Sequence, residues 1–457
     1  MYIDSPKSQN VKRQTIKPSL NMKLIPSMRH VFLTVLIGLF SLQAQAGLNI
    51  QQWQTSEGSE VYFVENHDLP IIDLSVNFAA GNARDNAPKA GVANLTRYLM
   101  TLGAAGMTDE DISQKLADVG AVMGGELDAD RASFKLRALS SSREREQALD
   151  VYTKILQKPD FPDAILTREK ARVIAGLQEA ETQPESISSK AFMAALYGSH
   201  PYALDDDPAT VASIQREDLR TFYATYYGAR GAVIALIGDM SRSDAEKLAE
   251  RISSGLPQAT AALPLPSVSY PDAAKEQKIQ HPASQSHILL GYPGVKRGDA
   301  DYFPLYVGNY ILGGGGFVSR LTEEVREKRG LVYSVYSYFM PMAELGPFQV
   351  GLQTKRDQAD EALKLVRETL AKFIAGGVTE AELNAAKQNI TGGFPLRLDS
   401  NAKILDYLAV IGFYKLPLTY LDDFNANVKK VTTAQIKEAF ARRIDPNKMV
   451  TVVVGGD

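Results

Sequence analysis

Residues that could hold a catalytic metal or act as a nucleophile are scarce in this 457-residue sequence. There is no cysteine, so the sequence has neither thiolate chemistry nor disulfide bonds. Metal-binding histidines often occur as pairs that share one helix face. After the N-terminal segment the histidines stand alone, at His67, His200, His281 and His287. No nucleophile motif or paired-carboxylate site stands out either, so the sequence argues against an enzyme that acts alone.

A segment in the second half has residue types suited to binding a peptide. It reads ILGGGGFVSRLTEEVREKRGLVYSVYSYF, from Ile311 to Phe339, and contains Arg326 and, seven residues later, Tyr333. Arginine is a permanent cation with several donors, which suits peptide carbonyls and developing negative charge. A tyrosine hydroxyl can donate to the same oxygen without ionising. Glycines let another backbone approach closely.

Each part of this segment also has a simpler explanation. The run Gly313–Gly316 is compatible with a flexible loop, and it lacks the Gly-Lys-Ser/Thr of a phosphate loop. The helix Glu323–Arg329 resembles a solvated face with ion pairs four residues apart. Ordinary strand residues would account for Tyr333, Tyr336 and Tyr338. The order and spacing of all the parts together favour a functional segment.

The elements that must position these residues occur twice along the chain. REDLRTFYATYYGARGAVIALIGD, which ends at Asp239, has a counterpart in TTAQIKEAFARRIDPNKMVTVVVGGD, which ends at Asp457. Each predicts an amphipathic helix, a polar turn and a β-branched strand. A second pair of helical segments, from Leu166 and Val378, agrees at nearly the same offset, which indicates duplication. We predict domains at 47–252 and 272–457, joined by a Pro- and Ala-rich linker at 253–271.

Strands and helices mix within each half, which predicts an α+β fold. We expect each half to lay its helices against one face of a mostly antiparallel sheet. Capping-box spacing predicts helix starts after Thr108 and Thr379. The predicted strands are Val61–Val64, Ile71–Phe78 and His287–Pro293. The predicted helices are Gly91–Leu102, Asp109–Val119, Glu144–Leu156, Thr167–Glu181, Asp357–Ala375 and Thr379–Gly393.

The N-terminus predicts export. A basic pair precedes the apolar run Val31–Phe40, and Ala44-Gln45-Ala46 has the small-x-small pattern of a cleavage site. We therefore assign residues 1–46 to an export signal, with residues 1–27 upstream if Met28 is the true start. The run is shorter than the roughly 20 residues of a membrane span, although a retained anchor is the alternative. The mature protein is expected to be soluble and periplasmic, and a net charge of −3 argues against nucleic acid as a partner.

From about Gln51 to its C-terminus, the chain resembles the insulysin, pitrilysin and mitochondrial processing peptidase family of zinc metallopeptidases. The family's motif is His-x-x-Glu-His, and the matching frame here is GVANLTRY, starting at Gly91. Asn94, Arg97 and Tyr98 occupy the places of the first His, the Glu and the second His. The third ligand, eight residues before a proline, falls on Gly176, with Glu179 a weak substitute. The resemblance thus implies a degenerate metal site without zinc, unless an ordinary core helix matches the frame by chance.

The segment Ile311–Phe339 resembles the substrate-binding segment of the same family. Arg326 and Tyr333 match an Arg and a Tyr that bind substrate near the scissile bond and help to stabilise the oxyanion. They do so by reaching across a clamshell of two similar domains to the zinc of the opposite domain. The resemblance also implies a substrate-binding set made of Gly313, Gly314, Gly315, Gly316, Ser319 and Arg320.

In two-chain members of this family, one chain carries His-x-x-Glu-His and the other carries the Arg/Tyr pair. The resemblance therefore implies a non-catalytic subunit that completes the active site of a zinc-bearing, homologous partner in a heterodimeric periplasmic metalloendopeptidase. Short or unfolded peptides are the expected substrates. The alternative is a peptide-binding or scaffold protein without a proteolytic partner.

Overall fold

The computed structural model describes residues 47–456, so the predicted export signal lies outside the described residues. The strands of the first half are β1 (Gln51–Gln54), β2 (Glu60–Glu65), β3 (Ile71–Phe78), β4 (Gly103–Ala104), β5 (Met107–Thr108), β6 (Val122–Gly124), β7 (Ala132–Leu139) and β8 (Val233–Gly238). Its helices are α1 (Val92–Met100), α2 (Asp109–Ala117), α3 (Ser142–Gln157), α4 (Asp163–Ala180), α5 (Pro184–Tyr197), α6 (Pro208–Ser213), α7 (Arg216–Tyr226) and α8 (Arg242–Ser253).

The second half repeats this mixture. Its strands are β9 (Lys275–Gln280), β10 (Gln285–Val295), β11 (Val332–Phe339), β12 (Gly346–Lys355) and β13 (Val450–Gly456). Its helices are α9 (Tyr302–Asn309), α10 (Ala359–Gly376), α11 (Glu380–Gly393), α12 (Asn401–Phe413), α13 (Tyr420–Lys430) and α14 (Thr433–Arg443). The predicted helices and strands are confirmed, with ends that differ by a few residues. The capping boxes at Thr108 and Thr379 are both present.

Each half contributes one open, mostly antiparallel sheet. The first sheet has the strand order β1-β2-β8-β3-β7-β6, and the second has the order β11-β12-β10-β13-β9. Each contains a single parallel pair, between β2 and β8 in the first sheet and between β9 and β13 in the second. In both halves, therefore, the strand that follows the repeated amphipathic helix pairs in parallel with an early strand. The expected α+β architecture is confirmed.

Alternation along the strands divides the core into layers. In β8, Ile234 and Leu236 pack with helices of the first half, because successive strand residues face opposite sides of the sheet. Val233, Ala235 and Ile237 face the other side, where they join a hydrophobic cluster made mostly of residues from the second half.

One helix from each half crosses to the sheet of the other half. Helix α12 packs on β8, β3 and β2, and α5 packs on β10 and β13. Phe192 of α5 is fully buried with Val450 and Val452 of β13. We expected helices on one face of each sheet, whereas the second face carries this exchanged helix. The physical reason is that both faces of the central strands are apolar, and a bare apolar face would remain exposed to water.

A buried carboxylate also joins the halves. Asp130 is 4% exposed and accepts hydrogen bonds from the Tyr202 hydroxyl at 2.6 Å and the Tyr414 hydroxyl at 2.8 Å. The backbone N–H of Ala343 donates to the same carboxylate at 2.8 Å. Burial, followed by the nearby Asp130 charge, raises the pKa of both tyrosines far above the ordinary range. Both phenols therefore remain protonated donors at physiological pH.

The predicted linker has neither helix nor strand over residues 257–271. It lies against the rest of the protein: Tyr270 stacks on Tyr292 with ring centres 5.4 Å apart, and the Pro266 carbonyl lies 2.8 Å from His200 Nε2. Residues from Leu48 onward group as one compact unit, so the division at 253–271 stays a prediction. Within residues 47–456, no helix is both long and apolar enough to cross a bilayer.

Candidate functional site

Arg326 and Tyr333 lie side by side at an exposed edge of the second sheet. Tyr333 belongs to the edge strand β11, and the residue is 77% exposed. The guanidinium carbon of Arg326 lies 5.8 Å from the centre of the Tyr333 ring, which is within the range of a cation–π contact. The Arg326 side chain is 36% exposed. The structure thus brings the two predicted residues together and leaves both accessible.

A β-bulge interrupts the pairing of β11 at Tyr333. Val332 lies opposite Thr354 and Ser334 lies opposite Gln353, so Tyr333 is the extra residue between two paired positions. Bulges bend an edge strand and re-aim the side chain that they carry, and they are frequent next to functional sites. The high exposure of Tyr333 follows from this local geometry.

A π-helical turn and a left-handed glycine position Arg326. The segment Thr322–Glu327 is a π-helix, whereas we predicted an ordinary helix over Glu323–Arg329. Single π-helical turns are rare and often occur at functional sites. Gly330 has a φ of +63°, and its N–H donates to the Arg326 carbonyl at 2.8 Å. This reversal leads directly into β11 and thereby places Tyr333 beside Arg326.

Phe317 is a neighbour that the sequence analysis did not assign to the site. Its ring centre lies 4.9 Å from the guanidinium carbon of Arg326, and the residue is 70% exposed. The available signal was an aromatic residue directly after the run Gly313–Gly316. That signal is weak, because a sequence does not show whether such a residue is buried.

The glycine run packs mainly against the chain's own atoms. A Cβ on Gly313 would lie 2.4 Å from the Ser337 hydroxyl of β11, so only glycine fits there. Gly314 and Gly315 are similarly close to the preceding helical turn, whereas Gly316 has open space around its Cβ position. Gly316 is thus the member of the run with most room for a ligand, and substrate binding by the run stays a prediction.

Ser319 and Arg320 make internal contacts. The buried Ser319 hydroxyl donates to the Gly316 carbonyl at 2.8 Å. Arg320 donates two hydrogen bonds to the Glu382 carboxylate, at 2.7 and 2.8 Å, and these bonds lower the pKa of Glu382 to about 2. Both side chains therefore have structural roles. Substrate binding, which we predicted for them, remains a prediction that none of these contacts supports.

Helix α1 carries three of the predicted degenerate metal positions, Asn94, Arg97 and Tyr98. Asn94 is exposed, whereas Arg97 is partly buried beside strand β7. The Arg97 Nε–H donates to the Ser133 carbonyl at 3.2 Å, and its guanidinium carbon lies 5.5 Å from the centre of the Phe134 ring. Burial lowers the pKa of Arg97 from its ordinary value. A fixed cation therefore lies at the position that we predict to match the family's general base.

An arginine from α4 stacks on Tyr98, which we predict to match the second histidine of the family motif. The Arg172 guanidinium carbon lies 4.8 Å from the centre of the Tyr98 ring, and Arg172 also pairs with the buried Glu169 at 2.8 Å. Glu169 pairs with Arg168 at 2.7 Å as well. This cluster was not predicted, although the sequence places a glutamate between two arginines on one helix. Its carboxylate is already neutralised by cations.

These residues do not fit a zinc ion. Gly176 offers no ligand and Glu179 is exposed on the surface of α4. Nowhere in the chain from residue 47 to 456 do three or more His, Cys, Asp or Glu side chains form a group suited to a metal ion. His67 instead contacts Asp239 at 2.6 Å and Glu65 at 2.9 Å. Two arginines near the would-be site would also repel a divalent cation.

A groove of about 530 Å³ lies beside the degenerate metal positions. Arg97 and Tyr98 form part of its wall, and Val122–Gly124 of the edge strand β6 forms another part. An edge strand has backbone groups that can pair with an added peptide strand. The groove therefore has the chemistry to hold an extended peptide without a metal.

Comparisons with known proteins identify the family of this chain. Residues 61–205 match the model of the insulinase family, peptidase family M16, and residues 213–390 match that of the peptidase M16 inactive domain. A non-peptidase homologue, YmxG of Helicobacter pylori, is 26% identical over 93% of this chain and 98% of its own. YmxG of Bacillus subtilis, named an uncharacterized zinc protease, is 24% identical over 78% of this chain and 86% of its own.

A solved structure gives the strongest of these likenesses. It is the crystal structure of a peptidase M16 inactive domain from Pseudomonas fluorescens, which is 41% identical, with a TM-score of 0.86. The match covers 90% of this chain and 98% of that chain. On this identity and coverage, the protein belongs to peptidase family M16, and it is similar to inactive members of that family.

Proposed function

We propose that this chain is the non-catalytic, substrate-binding subunit of a heterodimeric periplasmic metalloendopeptidase. The catalytic zinc would lie in a homologous partner that bears His-x-x-Glu-His. Arg326 and Tyr333 would complete that partner's active site. The observation that carries the proposal is the accessible Arg326–Tyr333 pair, in a chain whose own metal positions hold Asn94, Arg97 and Tyr98.

The chemistry of the pair supports a role at a peptide carbonyl. Among the described residues, the one carboxylate within 4 Å of Arg326 is that of Glu327, at 3.6 Å, which is longer than a hydrogen bond. The guanidinium is therefore available to an external acceptor. The exposed Tyr333 hydroxyl could donate to the same oxygen, as an oxyanion requires.

Unfolded or short peptides are the proposed substrates. The pair lies at the edge strand β11, and an edge strand recognises an extended backbone better than a folded surface. The predicted export signal and the absence of cysteine are compatible with a soluble periplasmic subunit.

A second candidate function is peptide binding without a proteolytic partner. The groove beside Arg97 and Tyr98 favours it, because this groove adjoins an edge strand within the chain itself. In that case the protein would hold peptides or act as a scaffold, and Arg326 and Tyr333 would not take part in hydrolysis.

Co-expression with a His-x-x-Glu-His homologue from the same genome separates the two candidates. The proposal expects a stable complex that cleaves unfolded peptides faster than either chain alone. The matched control is the same complex with both partner histidines replaced by alanine, which should form but not cleave. If the two chains elute separately at micromolar concentration and mixing adds no activity, the second candidate is favoured.

A further inference from the structure

The contact between Phe317 and Arg326 has no evident role in stabilising the fold. The Phe317 ring is mostly exposed, so it removes little apolar surface from water and contributes little through burial. Its neighbour Val318 is even more exposed, at 76%. The ring centre of Phe317 nevertheless lies 4.9 Å from the guanidinium carbon of Arg326.

Two aromatic rings flank the Arg326 guanidinium, and its nearest carboxylate in the described part of the chain lies beyond hydrogen-bond distance. The Phe317 and Tyr333 ring centres lie 4.9 and 5.8 Å from its guanidinium carbon, while Glu327 lies 3.6 Å from Nε. A carboxylate would occupy the N–H donors. A ring face attracts the cation but accepts no strong hydrogen bond, so the donors remain free for a ligand.

A free arginine side chain samples many rotamers, and ordering it upon binding lowers affinity. We propose that Phe317 is a positioning residue, which orients Arg326 toward the peptide carbonyl before substrate binds. This inference rests on the proposed function of the Arg326–Tyr333 pair and adds Phe317 to that site. Phe317 acts through Arg326 and does not need to touch the reacting atoms.

Kinetics of the reconstituted complex test this role. Phe317→Leu keeps an apolar side chain but removes the ring face, and it should lower kcat/KM about tenfold through misplacement of the guanidinium. Phe317→Trp keeps a ring face and should remain within about twofold of wild type. Val318→Ala is the matched control, since it removes an adjacent exposed apolar side chain that has no ring, and it should also remain within about twofold.

A double-mutant cycle then tells positioning from direct substrate contact. If Phe317 acts through Arg326, Phe317→Leu should cause no further loss in an Arg326→Ala background. Full additivity of the two losses would overturn the inference, because it would mean that Phe317 contacts the substrate independently. A wild-type kcat/KM for Phe317→Leu alone would overturn it as well.

A measurement without catalysis separates this inference from the proposed function. In the chain labelled with ¹⁵N-arginine, the Nε–H signal of Arg326, assigned by its loss in Arg326→Lys, should shift in Phe317→Leu and stay in place in Val318→Ala. An unchanged signal in Phe317→Leu would refute the contact. If the contact is present but the complex cleaves nothing, the proposed function is wrong and the positioning role falls with it. If the complex is active and the cycle is additive, only the positioning role is wrong.

Discussion

The guanidinium carbon of Arg172 lies 4.8 Å from the centre of the Tyr98 ring. We predict that Tyr98 matches the family's second zinc-binding histidine, so a cation stacks where a neutral imidazole would otherwise bind a metal. Arg172 is held in turn by the buried Glu169. On this prediction, two helices, α1 and α4, differ from a zinc site, and not the motif residues alone.

We expect the purified chain to contain no stoichiometric zinc. The triple variant Asn94→His, Arg97→Glu, Tyr98→His should also fail to bind zinc tightly, because Gly176 leaves the third ligand absent and Arg172 leaves a cation nearby. Elemental analysis after dialysis measures this directly. About one zinc per wild-type chain would contradict the expectation, and adding Gly176→Glu and Arg172→Ala to the triple variant should increase zinc binding.

In the reconstituted complex, Tyr333→Phe should lower turnover on the order of 100-fold, the usual effect of removing one oxyanion donor. Arg326→Ala should also raise KM, since a cation aimed at carbonyls acts before the transition state too. Tyr336→Phe on the same strand is the matched control and should change turnover by less than about twofold. Melting temperatures check that all three variants fold. Near-wild-type turnover in Tyr333→Phe would show that the pair is only structural.

The ion pair between Glu382 and Arg320 should make stability depend on pH. The pKa of Glu382 is lowered from 4.5 to about 2, mainly by the Arg320 hydrogen bonds, so the folded state favours the charged form. The stabilisation of the folded state by this lowered pKa is complete above pH 4.5 and is lost as the pH falls through 2. We expect Glu382→Gln to lower the free energy of unfolding most near neutral pH, with the difference from wild type shrinking between pH 4.5 and 2. Urea unfolding at several pH values measures this difference.

A control for that experiment is Lys278→Ala, which removes the solvent-exposed ion pair with Asp360. Exposed pairs contribute roughly 0–1 kcal/mol, so this variant should cost little at any pH. A difference between Glu382→Gln and wild type that does not change with pH would mean that packing, and not charge, accounts for the effect.

Asp130→Ala should be among the most destabilising single changes. It leaves the hydroxyls of the buried Tyr202 and the partly buried Tyr414 without their acceptor, and each lost hydrogen bond to a charged group costs about 1.5–3 kcal/mol. Chemical unfolding should show a loss of more than about 3 kcal/mol. Tyr414→Phe removes a single donor and should cost less. The two losses should not add in the double mutant, and strict additivity would contradict a shared network.

Local elements were predictable from the sequence because their signals are local. The spacing of Thr379 and Glu382, three residues apart, predicted the start of a helix. The hydrogen bonds between Glu382 and Arg320 join residues 62 positions apart, and no spacing rule predicts such a contact. Helices α5 and α12, by contrast, were not among the helices predicted from the sequence. Apolar periodicity can identify a buried helix face, but it does not identify the element that packs on that face. The packing of each helix on the sheet of the other half therefore could not be predicted. The stacking of Phe317 on Arg326 was unpredictable for the same reason.

If the repeated segments reflect duplication, as we predict, the exchange of α5 and α12 bears on how the protein could arise. A single ancestral half, folded alone, would lack the helix that covers one face of its sheet. In two separate copies, the helix of each copy could pack on the sheet of the other, as in a domain-swapped homodimer. Fusing two such genes would turn an association that depends on concentration into an intramolecular one. After such a fusion the two copies would be free to diverge, because one chain would supply both partners of the swap.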